Sequence, residues 1–154
     1  MEITDILASD AVLVDLKAGS KKQVLQMLAR HASEQTGLHE RTIFETLLER
    51  ERLGTTGVGE GVAIPHGRIG EIEKIKAIFA RLKEPIDFDA VDGRPVDLLF
   101  LLLAPAQAGA DHLKALSRIS RLLRDRNNCD KLRGAKSSEA VYALLANGGA
   151  SQAA

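Results

Sequence analysis

The chain has 154 residues, with 21 lysines and arginines balanced by 21 aspartates and glutamates. This length predicts a single domain with a sizeable core, and the balanced charge together with only 3% aromatic residues argues against a nucleic-acid partner. Cys129 is the sole cysteine, so an intrachain disulfide and a cysteine-based metal cluster are excluded.

In chain order, the first half predicts one strand followed by two helices. Val12 to Leu16 alternates and is rich in β-branched residues, which is typical of a strand. Ser20 begins a capping-box pattern that opens a helix, and Gly37 is placed to end it. A second helix is expected from about Glu40 to Arg52. The expected core-facing residues are Val24, Leu25, Leu28, Ala29 and Ala32 in the first helix and Ile43, Phe44, Leu47 and Leu48 in the second.

The next segments predict three strands, of which the last two are apolar enough to be central. Val62 to Ile64 forms a short strand that ends at His66. Ile75 to Leu82 is apolar on both faces, and Val96 to Leu103, which follows a turn at Asp92 to Pro95, is the most apolar strand of all. Strands of this kind are typical of a sheet covered on both sides.

Two helices are expected after the last strand. Asp111 can cap the first and Ser137 the second. Because strands and helices interleave without an internal repeat, the pattern predicts one α/β domain in which helices pack on both faces of a mixed sheet. We place this domain at residues 1–147 and expect 148–154 to be a flexible tail. The expected inward residues are Leu113, Leu116, Ile119 and Leu123, then Val141, Leu144 and Leu145.

The sequence contains no recognisable targeting or membrane segment. Glu2 and Asp5 stand where a signal peptide would need basic residues, and the longest apolar run, Leu98 to Ala104, is too short to span a bilayer. We therefore expect a soluble, cytoplasmic domain without membrane insertion.

The most informative stretch runs from Gly54 to Arg68, with the sequence GTTGVGEGVAIPHGR. Glycines at this density indicate a backbone that turns sharply or lets another body approach closely. Pro65 and Gly67 flank His66, so its imidazole should be held stiffly with one face open. Histidine can act as a nucleophile near neutral pH, which makes His66 a candidate catalytic residue. The alternative is a surface turn that happens to contain a histidine.

Three separated segments resemble one known family. They are RERLG from Arg50 with the following GVAIPHG, then PIDFDAVDGRPVDLLFLLLAP from Pro85 to Pro105, then DHLKALSRISRLLRD from Asp111 to Asp125. Their order and spacing resemble the IIA phosphocarrier domain of the bacterial phosphotransferase system, in its fructose/mannitol branch and most closely in its nitrogen-regulatory member. The resemblance spans roughly residues 3–145 and implies a sheet of about five strands.

The resemblance also implies roles for individual residues. His66 would accept a phosphoryl group on Nε2, although nothing in the sequence selects Nε2 over Nδ1. Arg50, in the RE motif, and His112, in the HL motif, would assist it, since a guanidinium fork can bind two phosphoryl oxygens. Taken alone, Arg50 could instead pair with Thr46 or cap helix-end carbonyls, and His112 could be a plain polar residue at a helix start. Arg52 is the competing arginine.

Phosphoryl transfer of this kind requires few catalytic groups, and we expect no cofactor and no metal. It requires a neutral nucleophilic nitrogen, positive groups for the phosphoryl oxygens and an open surface for the donor. A zinc site is disfavoured because the sequence has no H-E-x-x-H motif and no i,i+4 histidine pair. Its conceivable ligands are His66, His112 and Asp111. The expected anion nest consists of Gly57, Gly59, Gly61 and Gly67, and the expected apolar docking rim consists of Val58 and Ile64.

The resemblance thus predicts a regulatory phosphocarrier. Its donor would be an HPr/NPr-type carrier protein, and its phosphorylation state would control protein partners such as a potassium transporter or a sensor kinase. Whether such a carrier counts as an enzyme is left open. One alternative is a sugar-specific IIA component that passes phosphate to a separate IIB protein. The other is a non-catalytic binding module that acts by docking alone.

Overall fold

The computed structural model describes residues 1–148, which form six helices and six strands. The expected tail lies outside these described residues except for Gly148. In chain order the elements are α1 (Ile3–Ile6), a 3₁₀ turn (Ser9–Ala11), β1 (Val12–Leu16), α2 (Lys21–Thr36), α3 (Glu40–Leu53), β2 (Gly57–Gly59), β3 (Val62–Ala63), β4 (His66–Arg68), β5 (Lys76–Ile86), β6 (Val96–Ala104), α4 (Ala110–Arg124), α5 (Arg126–Gly134) and α6 (Ser138–Ala146).

The strands form one mixed sheet in the order β1-β5-β6-β3-β2, with β4 also paired to β6. β6 runs antiparallel to β5 and parallel to both β3 and β4. The sequence pattern predicted four strands and the resemblance about five; the structure adds β2 in the glycine-rich segment and β4 after Pro65. Pro65 has no N–H to donate to a ladder, so β3 ends before it and β4 begins after it. His66 therefore begins a strand, whereas the sequence predicted that it would follow the end of one.

The core lies on both sides of the two longest strands. Residues 77–82 of β5 and 98–104 of β6 are all buried. Because successive side chains of a strand point to opposite faces, both faces of the sheet must be covered. Helices α2 and α3 pack together with α2 against β5, while α4 contacts β6 and α6 contacts β1. The predicted α/β fold, with helices on both faces, is confirmed.

Local capping signals locate most helix ends. The Ser20 hydroxyl accepts a hydrogen bond from the Gln23 N–H at 3.1 Å, and Gly37 ends α2 with φ +79°. Ser137 caps α6, as predicted. The predicted cap at Asp111 is wrong: Gly109 occupies the cap position of α4, and Asp111 lies within the first turn.

Two features of the last helices differ from the sequence expectation. Leu113 is 64% exposed, because the buried stripe of α4 runs through His112, Ala115 and Ile119 instead. Helix α5 was not predicted, although the sequence carried its signal. The Asp125 carboxylate accepts hydrogen bonds from the backbone N–H groups of Asn127 and Asn128, which is the contact of a capping residue.

Candidate active site

The position of His66 follows from the hydrogen bonds of the segment that leads to it. The Ile64 N–H donates to the Thr56 carbonyl at 3.0 Å, and the Pro65 carbonyl accepts from the Leu102 N–H at 2.9 Å. His66 itself pairs with Leu102 in the parallel ladder between β4 and β6. The backbone around the imidazole is therefore tied on two sides, as the flanking proline suggested.

The His66 ring makes one hydrogen bond that defines its chemistry. Nδ1 lies 2.8 Å from the Ile64 carbonyl oxygen. A carbonyl oxygen can only accept, so Nδ1 carries the proton and the neutral ring keeps its lone pair on Nε2. Burial, helped by the charge of Arg50, lowers the pKa of His66 below its ordinary value of 6.5, against the opposing effects of the Ile64 hydrogen bond and Glu51. His66 is thus a neutral imidazole with a free nitrogen at neutral pH.

His112 lies directly beside His66. The two ring centroids are 5.8 Å apart and the ring planes are inclined by 52°. The His112 side chain is buried, and its Nδ1 has no hydrogen-bond partner within residues 1–148. Burial, then the charge of Arg68 and then that of His66 in its protonated form, lower the pKa of His112. A polar atom buried without a partner costs free energy, so this nitrogen is a group whose burial requires an explanation.

A cavity of about 590 Å³ contains both imidazoles. Its lining includes the guanidinium-bearing residues Arg50, Arg52 and Arg68, none of which forms an ion pair with a carboxylate in the described part of the chain. An anion that enters this cavity therefore meets positive charge with few competing carboxylates. The other lining residues are Thr46, Glu49, Leu53 and Gly67.

The structure brings together the three principal residues that the sequence singled out. Arg50 extends from the last turns of α3, His66 begins β4 and His112 lies in the first turn of α4. Arg50 also donates from Nη1 to the Gly54 carbonyl at 2.9 Å, so it has the helix-end contact that the sequence offered as its alternative. The same guanidinium lines the cavity and lowers the pKa of His66, so the helix-end contact does not take Arg50 away from the imidazole.

Of the four glycines predicted to cradle an anion, only Gly67 lines this cavity. The Gly61 carbonyl accepts from the N–H groups of Asp97 and Leu98, whereas His66 lies opposite Leu102. Four residues of strand correspond to roughly 13 Å, so the β2–β3 hairpin, which holds Gly57, Gly59 and Gly61, lies toward the other end of β6.

The predicted apolar rim is also in a different place. Val58 and Ile64 line a separate cavity that includes Cys129. Among the residues that line the His66 cavity, the exposed apolar side chain is Leu53, which is 85% exposed. A leucine at the end of a helix carries no sequence signal that separates a docking surface from ordinary exposure.

Sequence reasoning did not single out Arg68, which lines the cavity together with Arg50 and the competing arginine Arg52. Arg68 is two residues after His66 in β4, and side chains at i and i+2 of a strand share a face. That spacing was the available signal, but it depends on His66 beginning a strand. Gly67 lies between them, so a side chain at this position would project from the opposite face of the strand. A Cβ there would lie 2.7 Å from Thr46 Cγ2 of α3.

Within residues 1–148, no group of three or more His, Cys, Asp or Glu side chains is arranged to hold a metal ion. The disfavoured zinc site has therefore no support from the arrangement of His66, His112 and Asp111. None of the helices among the described residues has the length and apolar character that a bilayer span requires.

Comparison with known families agrees with this geometry. The family described as "Phosphoenolpyruvate-dependent sugar phosphotransferase system, EIIA 2" matches residues 5–148. The chain belongs to this EIIA type-2 family. It is therefore a phosphocarrier of the phosphotransferase type, a class that receives a phosphoryl group from one protein and passes it to another.

Relatives of the EIIA family carry two kinds of name. The chain is 60% identical over 146 residues to a "Nitrogen regulatory protein" of Bradyrhizobium diazoefficiens, with 95% of each chain covered. It matches the crystal structure of nitrogen regulatory protein IIA-Ntr from Neisseria meningitidis with a TM-score of 0.89 and 38% identity, over 93% of this chain and 98% of that one. It is also 37% identical to a "PTS system fructose-specific EIIA component" of Haloferax volcanii, covering 95% of this chain and 97% of the relative.

Proposed function

We propose that the chain is a regulatory phosphocarrier that accepts a phosphoryl group on Nε2 of His66. The observation that carries this proposal is the hydrogen bond from His66 Nδ1 to the Ile64 carbonyl, which leaves Nε2 as the only ring nitrogen with a lone pair. The lowered pKa of His66 supports it, since only a neutral imidazole can attack.

The transfer step requires no cofactor. The Nε2 lone pair forms a bond to phosphorus while the bond between phosphorus and the donor's imidazole nitrogen breaks, and that electron pair returns to the donor ring. Arg50 and Arg68 would neutralise charge on the phosphoryl oxygens in flight, and His112 would contribute a hydrogen bond. The donor we propose is a small carrier of the HPr/NPr type, whose phosphohistidine could enter the open cavity beside the exposed Leu53.

Phosphorylation with purified components tests this assignment. Incubation with enzyme I, an HPr-type carrier and phosphoenolpyruvate should add one acid-labile, base-stable phosphate per chain. His66→Ala should remove the labelling while the circular dichroism spectrum and the unfolding transition stay those of a folded protein. Full labelling of the His66→Ala variant would place the acceptor elsewhere.

The regulatory part of the proposal is supported by the nitrogen-regulatory names of the relatives at 60% and 38% identity. A phosphoryl group adds nearly two negative charges, and desolvating them against an apolar surface is costly. Phosphorylation should therefore weaken a partner that covers His66 with apolar side chains and strengthen one that offers arginines. We propose that the targets are proteins such as a potassium transporter or a sensor kinase.

The second candidate is a sugar-specific IIA component, favoured by the fructose-specific name of one relative at 37% identity. It would use the same residues with a different acceptor. Pull-downs that compare wild type, His66→Ala and the partial charge mimic His66→Glu distinguish the two. A target that separates the forms supports regulation, whereas rapid transfer from the labelled chain to a IIB protein, with no such target, supports transport. Nitrogen-regulatory sigma-factor genes next to this gene would favour regulation; a permease gene would favour transport.

A further inference from the structure

The carboxylate of Glu51 is buried near the candidate site but does not line its cavity. Glu51 lies in the last turns of α3 and is 7% exposed, although charged side chains are rarely buried unless they are paired. It contacts neither imidazole by a hydrogen bond, and the phosphoryl chemistry proposed above does not use it. Its burial therefore requires another explanation.

The Glu51 carboxylate is fully engaged with neighbouring groups. Oε1 accepts from the Thr56 backbone N–H at 3.0 Å and lies 3.0 Å from Lys21 Nζ, while Oε2 accepts a short hydrogen bond from the Thr56 hydroxyl. Lys21 is held in turn over the Phe88 ring, 4.7 Å from its centroid. These contacts attach the end of α3 to Thr56 at two points.

From Thr56 the hydrogen bonds continue to the imidazole. The Thr56 carbonyl accepts from the Ile64 N–H at 3.0 Å, and the Ile64 carbonyl accepts from His66 Nδ1 at 2.8 Å. The Thr56 carbonyl holds the Ile64 N–H, and Pro65 restricts the ψ of Ile64, so a shift of Thr56 is transmitted to the direction of the Ile64 carbonyl. The Ile64 carbonyl is the group that keeps the proton on Nδ1.

We infer that Glu51 is a positioning residue for His66, acting through Thr56 and Ile64 to hold the tautomer in which Nε2 is free. The inference rests on the proposed role of His66 as acceptor, but it concerns the tautomer, which exists without any phosphate. Loss of the carboxylate leaves two Thr56 donors unsatisfied and releases the segment before Pro65. The Ile64 carbonyl then no longer constrains the ring, and the Nδ1-free tautomer becomes populated.

The test is nitrogen NMR of the imidazole combined with transfer kinetics. The ¹⁵N shifts of the two ring nitrogens report which one carries the proton, so the His66 tautomer can be read in wild type, Glu51→Ala and Glu51→Gln. Glu51→Gln keeps the size of the side chain and one acceptor oxygen for the Thr56 N–H, which makes it the conservative variant. Thr56→Val removes the hydroxyl donor alone. Glu45→Ala, an exposed carboxylate on the same helix, is the matched control.

In Glu51→Ala the folded protein should show mixed His66 tautomers and phosphoryl transfer slowed about tenfold, the scale of a modest misplacement. Glu51→Gln and Thr56→Val should lie between this variant and wild type, and Glu45→Ala should match wild type. If Glu51→Ala does not fold, the Glu51→Gln and Thr56→Val variants carry the test.

Two results would overturn the inference. One is an unchanged His66 tautomer with normal transfer in the folded Glu51 variants. The other is slower transfer with an unchanged tautomer, which would mean that Glu51 acts by another route. A tautomer that shifts in Glu51→Ala, in a protein whose wild type accepts no phosphate, would instead support the positioning role while refuting the proposed function.

Discussion

The stretch from Gly54 to Arg68 contains glycine near both of its ends, but the two ends pair with opposite ends of β6. The β2–β3 hairpin approaches the start of β6: a Cβ on Gly57 would meet Ala90 in the loop before β6, and one on Gly61 would meet the side chains of Arg133 and Asp97. The His66 end pairs with the last part of β6 and opens into the cavity. In the hairpin, neighbouring atoms leave no room for a Cβ. At Gly67, the missing Cβ leaves space for α3 beside the imidazole. The same residue type therefore indicates a close approach without telling what approaches.

The largest effects that separate the two regions should come from the cavity side chains. His112→Ala and Arg50→Ala should each slow phosphoryl transfer to His66 by about 10- to 100-fold, less than the 10²–10³ of a dry oxyanion hole because this cavity is open. Carrier binding should persist, since each variant removes only one contact. Rapid-quench transfer assays together with calorimetric binding measure both quantities. If both variants transferred at the wild-type rate, Arg50 and His112 would have no role in phosphoryl transfer.

A change in the hairpin should affect stability and leave the chemistry alone. A Cβ on Gly57 would lie 2.9 Å from both Cα and Cβ of Ala90, so the backbone must move. Gly57→Ala should lower the free energy of unfolding by roughly 1–3 kcal/mol, measured by urea denaturation, with unchanged transfer by the folded fraction. Gly134→Ala, where a Cβ meets nothing within 4 Å, is the control. If the Gly57→Ala variant kept full stability but transferred phosphate more slowly, Gly57 would belong to the functional site.

The third glycine change sharpens the contrast, because it should act on transfer. A Cβ on Gly67 would lie 2.7 Å from Thr46 Cγ2, and the Thr46 hydroxyl is held by the Thr42 carbonyl at 2.8 Å. Gly67→Ala should push α3, and Arg50 with it, away from His66 and slow transfer about tenfold. Adding Thr46→Ala removes the clash and should restore most of the rate. A double variant as slow as Gly67→Ala would show that the clash is not the cause.

The smallest effect concerns pH. His66 and His112 have pKa values lowered by burial, so between those values and the ordinary 6.5 the unfolded chain binds more protons than the folded one. Their stabilising contribution is therefore complete above pH 6.5 and is lost as the pH falls below it. His66→Ala/His112→Ala should flatten this part of the stability profile measured by urea denaturation, relative to the exposed-site control Leu113→Ala. A parallel decline in the double variant would assign the pH dependence to other groups.

The sequence by itself determined the elements whose signals are local. The strand at Val12–Leu16, the caps at Ser20 and Ser137 and the glycine that ends α2 each depend on neighbouring residues, and all are confirmed. The family also follows from motifs that can be read without a fold. His66, His112 and Arg50 could be selected from those motifs, and the structure places them around one cavity.

Only the tertiary structure decided which groups share the site. The division at Pro65 sends His66 into β4 and brings Arg68 onto its face, while the hairpin glycines go to the far end of β6. The sequence did not determine which ring nitrogen of His66 is free, because this depends on where the Ile64 carbonyl points. That direction is set by Glu51 and Thr56 through contacts between separate elements. Spacing along a chain specifies which residues are available, but pairing across a sheet determines which of them meet.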